Sequence, residues 1–324
     1  MVYDVVIIGA GPCGLACAIE AEKAGLRYVV LEKGNVAESV RRYPLNMTFF
    51  STAENIAIGN IPFPTVGSKA KRNEALQYYR KVAVHYNLNI KVFTEVKTLT
   101  PQENGNFVIS TGKKEYIATK KVVLATGYFD FPRQLNIPGE KASHVFEYYD
   151  EPYRYAFSNV VILGAGNSSV EAALDLYRHD VNVTIVHRKD QLKPTAKYWL
   201  LPDIQNRIKE GKIKIMYETE ATAIKENTLE VRDLNTGERK EIPADFVFKL
   251  VGYLPDEGLF RQASLDYDQQ SLIPQYNPST FETSVKGVYV AGTVTAGTHT
   301  EKVFIENGRL HAKPIIRDIC EKLE

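Results

Sequence analysis

Two glycine-rich turns carry most of the chemistry that can be read from this chain. Gly9-Ala10-Gly11-Pro12-Cys13-Gly14 follows the apolar run Tyr3 to Ile8, and Gly164-Ala165-Gly166-Asn167-Ser168-Ser169 follows Val160 to Leu163. In such a turn the first glycine makes the tight bend, the second lets backbone approach a pyrophosphate, and the third allows close helix-strand packing. Backbone N–H groups at the start of the following helix then face the diphosphate, whose charge the helix dipole favours. One such motif is weak evidence. Two, each followed by a helical stripe and a second strand, point to dinucleotide binding at both places. The competing reading, two glycine turns that serve packing alone, needs the same pattern to arise twice by chance.

The two copies differ where the adenosine ribose is expected. Glu32 ends the second strand of the first copy, near the ~20-residue offset at which an acid accepts hydrogen bonds from a ribose. A carboxylate there suits a free 2'-hydroxyl, as in FAD or NAD. The corresponding place in the second copy holds His187, Arg188 and Lys189. Cations favour a 2'-phosphate, hence NADPH, unless Arg188 and Lys189 merely end a strand in solvent. Ser169 replaces the third glycine, a small change that keeps the turn compact.

The elements that must position these turns follow from periodicity. Gly14, Cys17, Ala18 and Ala21, and likewise Ser169, Ala172, Ala173 and Leu176, form stripes of mostly small residues on helices that pack on a sheet. The strands Tyr28 to Glu32 and Val181 to His187 complete each β-turn-α-β unit. Both halves close alike, with Val122 to Gly127 and Phe246 to Gly252. A further helix is expected over Arg72 to His85, and polar, Gly- and Pro-containing stretches at 131–139 and 258–278 read as linkers.

The 324 residues include 40 Lys+Arg and 39 Asp+Glu, so no basic excess favours nucleic acid. The length fits about two domains. Three cysteines, Cys13, Cys17 and Cys320, make no disulfide framework and suit a reducing cytoplasm. The residues before Val5 carry no basic n-region and the run to Ile8 is too short for a membrane span, so neither export nor a membrane partner is expected. The six histidines show no metal-ligand spacing, so no metal is expected.

With these motifs in place, the chain resembles the two-dinucleotide flavoproteins of the thioredoxin reductase-like family, essentially end to end. The match is closest to the bacillithiol disulfide reductase-like branch, through Gly9 to Leu15, Glu32-Lys33-Gly34-Asn35, Thr48-Phe49-Phe50-Ser51, Lys197-Tyr198-Trp199 and Phe304 to Gly308. The resemblance implies an α/β fold with two Rossmann-type three-layer dinucleotide-binding domains, the NADPH domain inserted in a split FAD domain. The expected bounds are 1–120 and 280–324 for FAD and 155–252 for NADPH, with 121–154 and 253–279 connecting.

Carried over residue by residue, the resemblance places Glu32 and Lys33 at the FAD adenosine, Val96 at the adenine through backbone, and Thr126-Gly127 near the closing turn. Ser51 joins the flavin site, and Gly292 approaches the ribityl-diphosphate region. Thr293 stands where most relatives have Asp, and a hydroxyl cannot act as a fixed carboxylate. The last helix, roughly 302–323 with a kink at Pro314, is expected to aim its N-terminus at the flavin.

Thioredoxin reductases carry Cys-x-x-Cys in the NADPH domain, but no cysteine lies between Gly127 and Gly252. Cys13 is then the thiol best placed for catalysis, since a helix N-terminus lowers a thiol's pKa. It pairs with Cys17 only at the expense of helix strain, and a small buried packing role is the alternative. The implied activity is hydride transfer from NADPH to FAD and on to a low-molecular-weight disulfide, in a homodimer or homotetramer. Rival readings are a flavin NADPH oxidase, a monooxygenase or a ferredoxin or flavodoxin reductase, and, from another class, a non-enzymatic NADPH/FAD redox sensor. His299 and His311 fall near the flavin end of the chain, with structural roles expected. Trp199 reads first as a core aromatic, against shielding of the nicotinamide or a subunit contact.

Overall fold

The computed structural model describes residues 2–193 and 196–324. The chain forms two compact units, one from residues 1–41, 48–131 and 253–324, the other from 42–47 and 132–252.

The first unit is built on a seven-stranded sheet. Val2–Ile8 lies between the parallel strands Tyr28–Leu31 and Tyr116–Leu124, in register Ile7 to Val30 and Ile7 to Val123. Val288–Val290 adds in parallel to Tyr116–Leu124, and Phe107–Thr111 adds antiparallel to it. Val5, Val6, Ile7, Val29, Val30, Val122 and Val123 are completely buried, as β-branched residues of a sheet covered on both faces should be. Helix Pro12–Lys23 buries Gly14 through Ile19 and Ala21, the small-residue stripe that lets it approach closely. Each fully buried aliphatic side chain contributes about 1.5 to 3 kcal/mol relative to exposure.

The second unit repeats the plan. Asn159–Leu163 pairs in parallel with Asn182–Val186 and with Phe246–Lys249, and Lys214–Met216 and Val145–Phe146 extend the sheet. Helix Asn167–Tyr177 follows its glycine turn, and a three-stranded antiparallel sheet spans Thr219–Ile224, Thr228–Asp233 and Arg239–Pro243. The α/β class, with the second unit inserted into a split first one, is as expected, and Arg72–His85 is helical.

Three expectations change. The stretch 253–279 is not a connection but part of the first unit, where Asp256 caps helix Glu257–Gln262 and Leu259, Phe260, Ala263 and Leu265 enter the core. Its polar residues serve turns instead, as where Asp268 accepts from the Gln270 and Ser271 amides. Similarly, 121–124 completes the strand Tyr116–Leu124. The expected C-terminal helix is three pieces, Ile305–Gly308, a 3-10 turn Arg309–His311 and Ala312–Glu321. Pro314 sits in the first turn of the last piece, directly after the 3-10 turn, where its missing N–H is not required by an intrahelical bond of that piece.

Candidate nucleotide and redox site

The two glycine turns share one construction. The Gly9 amide donates to Leu31 O at 2.8 Å, and the Gly164 amide to Val186 O at 3.0 Å. Behind them, the Ala125 amide donates to Ile8 O and the Leu250 amide to Leu163 O, so the closing strands belong to the repeat. Both first glycines take positive φ, 108° and 110°, and a Cβ on either would lie 2.5 Å from a carbonyl oxygen, of Ala125 or of Leu250. A Cβ at Gly14 would fall 2.0 Å from Gly9 O, whereas the second turn accepts Ser169 at the equivalent place.

The residues fit a diphosphate at each turn. A Cβ at Gly11 would meet nothing within 4 Å, and at Gly166 only Lys193 Cδ at 3.8 Å, so both second glycines border open space. Gly11 and Gly166 are the N-caps of their helices and neither end has a side-chain cap, which leaves first-turn N–H groups for an anion. Pro12 occupies the first helical position, and Asn167 and Ser168 start the second helix, Ser168 exposed.

Glu32 is 7% exposed and bridges the first turn, accepting from the Ala10 amide through Oε2 and the Gly34 amide through Oε1, both at 2.7 Å. Burial raises its pKa, and the two N–H bonds oppose that rise. Lys33 turns toward Asp130, with Nζ 2.8 Å from Oδ2. Val96 starts a strand and packs its side chain on the core, while the preceding Thr94 amide donates to Glu32 O.

At the second turn His187 is buried, and its Nε2 has no hydrogen-bond partner. The buried Ser169 hydroxyl is likewise unpartnered. Such orphaned polar atoms are what a bound nucleotide would satisfy. Burial first, then the charges of Lys193, Arg188 and Lys189, push the His187 pKa down. Arg188 and Lys189 are exposed.

The C-terminal segment meets the first turn at Cys13. A Cβ on Gly292 would lie 2.8 Å from Cys13 Sγ, and one on Gly308 2.9 Å from it, so the sulfur is packed against two glycine backbones. Burial pushes the thiol up to about 12, the reverse of the lowering expected from the helix N-terminus. Desolvation penalises the thiolate more than the dipole favours it here. Gly292 donates its amide to His311 Nδ1 at 3.2 Å, and His311 stacks on Phe281 with centroids 4.1 Å apart. Burial lowers His311 to about 4, so it stays neutral, with its proton on Nε2.

Thr293 Oγ1 lies 3.5 Å from where a Gly127 Cβ would stand, which brings Thr293 and the Thr126-Gly127 turn together. Ser51 donates to Glu306 Oε2 at 2.6 Å, joining the 48–56 and 305–308 segments. His299 is half-exposed beside Glu301, and Trp199 is half-buried, edge-on to Tyr198 rather than in the core. Lys197 and Gly308 lay in segments that carry the resemblance and His311 near the flavin end, but the contacts that join Gly308 and His311 to the first turn and Lys197 to the second come only from the fold.

The profile of the pyridine nucleotide-disulphide oxidoreductases matches residues 6–292. The chain belongs to this family. It is 38% identical over 319 residues, 98% of this chain and 97% of the relative, to bacilliredoxin reductase Bdr of Bacillus subtilis (strain 168). The solved bacillithiol disulfide reductase Bdr (YpdA) from Staphylococcus aureus superimposes with a TM-score of 0.95 at 36% identity, each chain covered completely. Thioredoxin reductase of T. acidophilum, at 22% identity over 99% of both chains and a TM-score of 0.77, shares the fold. This family member is a flavoprotein oxidoreductase that uses FAD and NADPH. Among the described residues no helix is long and apolar enough to cross a membrane.

Proposed function

We propose that the protein reduces a low-molecular-weight disulfide of the bacillithiol type, with FAD at the first turn and NADPH at the second. The carrying observation is the end-to-end similarity to the two Bdr proteins, in sequence and in fold. FAD, when bound, supplies two-electron transfer between NADPH and a disulfide, so that one NADPH and one proton turn one disulfide into two thiols.

The chain's own residues divide the work. Gly9, Gly11, Gly14 and the helix from Pro12 receive the FAD diphosphate; Glu32 accepts from the ribose, with Lys33, Val96, Ser51, Thr126, Gly127, Gly292 and Thr293 around the rest of the cofactor. Gly164, Gly166, Asn167 and Ser168 receive the NADPH diphosphate, and His187, Arg188 and Lys189 the 2'-phosphate. His311, neutral, accepts from the Gly292 amide and fixes that turn. Cys13 is the thiol of the reaction. Its sulfur, giving up its proton, attacks the acceptor disulfide and forms a mixed disulfide, and that proton leaves with the first thiol; two electrons and two protons, the equivalent of one hydride and one proton, then release the second thiol and restore the Cys13 thiol. At rest the half-buried, poorly solvated thiol carries its proton, so deprotonation must accompany attack.

A cytoplasmic location and a homodimer or homotetramer belong to the same reading; the three free cysteines support the first. The test is NADPH oxidation by the FAD-loaded protein with oxidised bacillithiol. Consumption well above the oxygen background supports the acceptor, and consumption at that background rejects it. Cys13→Ala separates the thiol route: it should still be reduced by NADPH and lose disulfide-dependent turnover.

A further inference from the structure

Beside the second glycine turn lies an ion pair that nucleotide binding by itself does not require. Lys197 has a side chain only 6% exposed, and its Nζ bonds Glu171 Oε1. The Lys197 amide donates to Asn167 Oδ1 at 2.7 Å, and the Lys193 amide to Ala165 O at 3.1 Å, so Lys193 and Lys197 lie against the turn itself. Asn167 and Glu171 are one helical turn apart on helix Asn167–Tyr177, hence on one face, and Lys197 engages both.

Glu171 poses an electrostatic problem. It sits four residues into the helix, about 6 Å along the axis from the end that offers N–H groups to a diphosphate. A carboxylate so close to an anion site, and so poorly solvated, would oppose the dipole that favours the anion. The neighbouring unpartnered hydroxyl of Ser169, fully buried, marks the same helix start as a place that awaits a polar ligand. Burial raises the Glu171 pKa, and the Lys197 ammonium opposes that rise without reversing it, so the carboxylate depends on this partner for its charge.

We propose that Lys197 is a positioning residue for NADPH, whose ammonium cancels the Glu171 carboxylate so that the helix end presents a net positive potential to the diphosphate. The inference rests on NADPH docking at the second turn. With Lys197 removed, a charged carboxylate roughly 8 to 12 Å from an anion, at an effective dielectric constant of about 20, weakens binding roughly tenfold to thirtyfold. Removing Glu171 instead leaves an uncancelled cation and tightens binding.

The experiment uses the FAD-loaded full chain with K197M, E171Q and the double variant. It measures NADPH dissociation constants, KM against kcat, FAD content and melting temperature. K197M should raise the NADPH dissociation constant by the stated factor with FAD retained, E171Q should lower it, and the double variant should return within about threefold of wild type. A purely structural pair predicts weakening in both singles, and that result overturns the inference, as does an unchanged constant in K197M. Should K197M not fold, the sign of the E171Q effect and the double variant decide. A wild-type protein that binds no NADPH overturns the docking reading and this inference with it, whereas normal wild-type binding with the wrong signs overturns the inference alone.

Discussion

Replacing Glu32 with Gln tests the first nucleotide site through a single atom. The carboxylate offers about four acceptor positions, and two are taken by the Ala10 and Gly34 amides. The remaining capacity is what a ribose hydroxyl would use. In E32Q the single oxygen offers two acceptor positions to three donors, the two amides and the ribose hydroxyl, so one donor goes unmet in either arrangement. Loss of one hydrogen bond to a charged acceptor corresponds to about 1.5 to 3 kcal/mol, or roughly ten- to hundredfold in FAD affinity. An unsatisfied buried amide also lowers apoprotein stability by about 1 to 3 kcal/mol. Titrating apoprotein with FAD and following flavin fluorescence gives the dissociation constant, and urea unfolding gives the stability. A dissociation constant within twofold of wild type would refute the role assigned to Glu32.

Three further outcomes follow from the geometry. Gly14→Ala places a Cβ 2.0 Å from the Gly9 carbonyl, which only a backbone shift relieves, so the variant should purify with little or no flavin, as its visible spectrum would report. Iodoacetamide should alkylate Cys13 about tenfold faster per pH unit from pH 7 to 10, with no plateau, as its thiol titrates near 12; mass spectrometry of C17S/C320S protein would follow it, and a plateau below pH 9 contradicts the buried thiol. His311 titrates near 4 when folded and near 6.5 when unfolded, so its contribution is complete above about pH 6.5 and is lost as pH falls toward 4, by at most about 3 kcal/mol. His311→Asn, which keeps an acceptor for the Gly292 amide, should remove that part of the acid destabilisation in urea melts.

What was legible in the chain is what repeats locally. Gly9 and Gly164, with their strands and small-residue helices, announce themselves because a tight turn against a carbonyl leaves no choice of residue. The place of Glu32 beside the first turn was equally legible from its offset. Cys13 was misjudged in its acidity because the glycines that bury its sulfur, Gly292 and Gly308, come from the other end of the chain. Residues 258–278 misled for a related reason, since their turn-forming polar residues are local while the core that takes Leu259 and Phe260 is not. Sequence alone did not place the 3-10 turn Arg309–His311 just before Pro314, because where the helix divides depends on what each piece packs against. Lys197 stood in a family-like segment, but its work depends on Glu171, on a helix reached only through the fold.

The central claim, that two nucleotide turns are sorted by Glu32 in one and by His187, Arg188 and Lys189 in the other, is tested most directly by anaerobic titration of the FAD-reconstituted protein with NADPH and, separately, NADH. The account predicts a yellow protein that one equivalent of NADPH bleaches completely, and that NADH bleaches only at much higher concentration. A protein that takes up no FAD, a flavin that NADPH leaves oxidised, or equal action of the two nucleotides would contradict it.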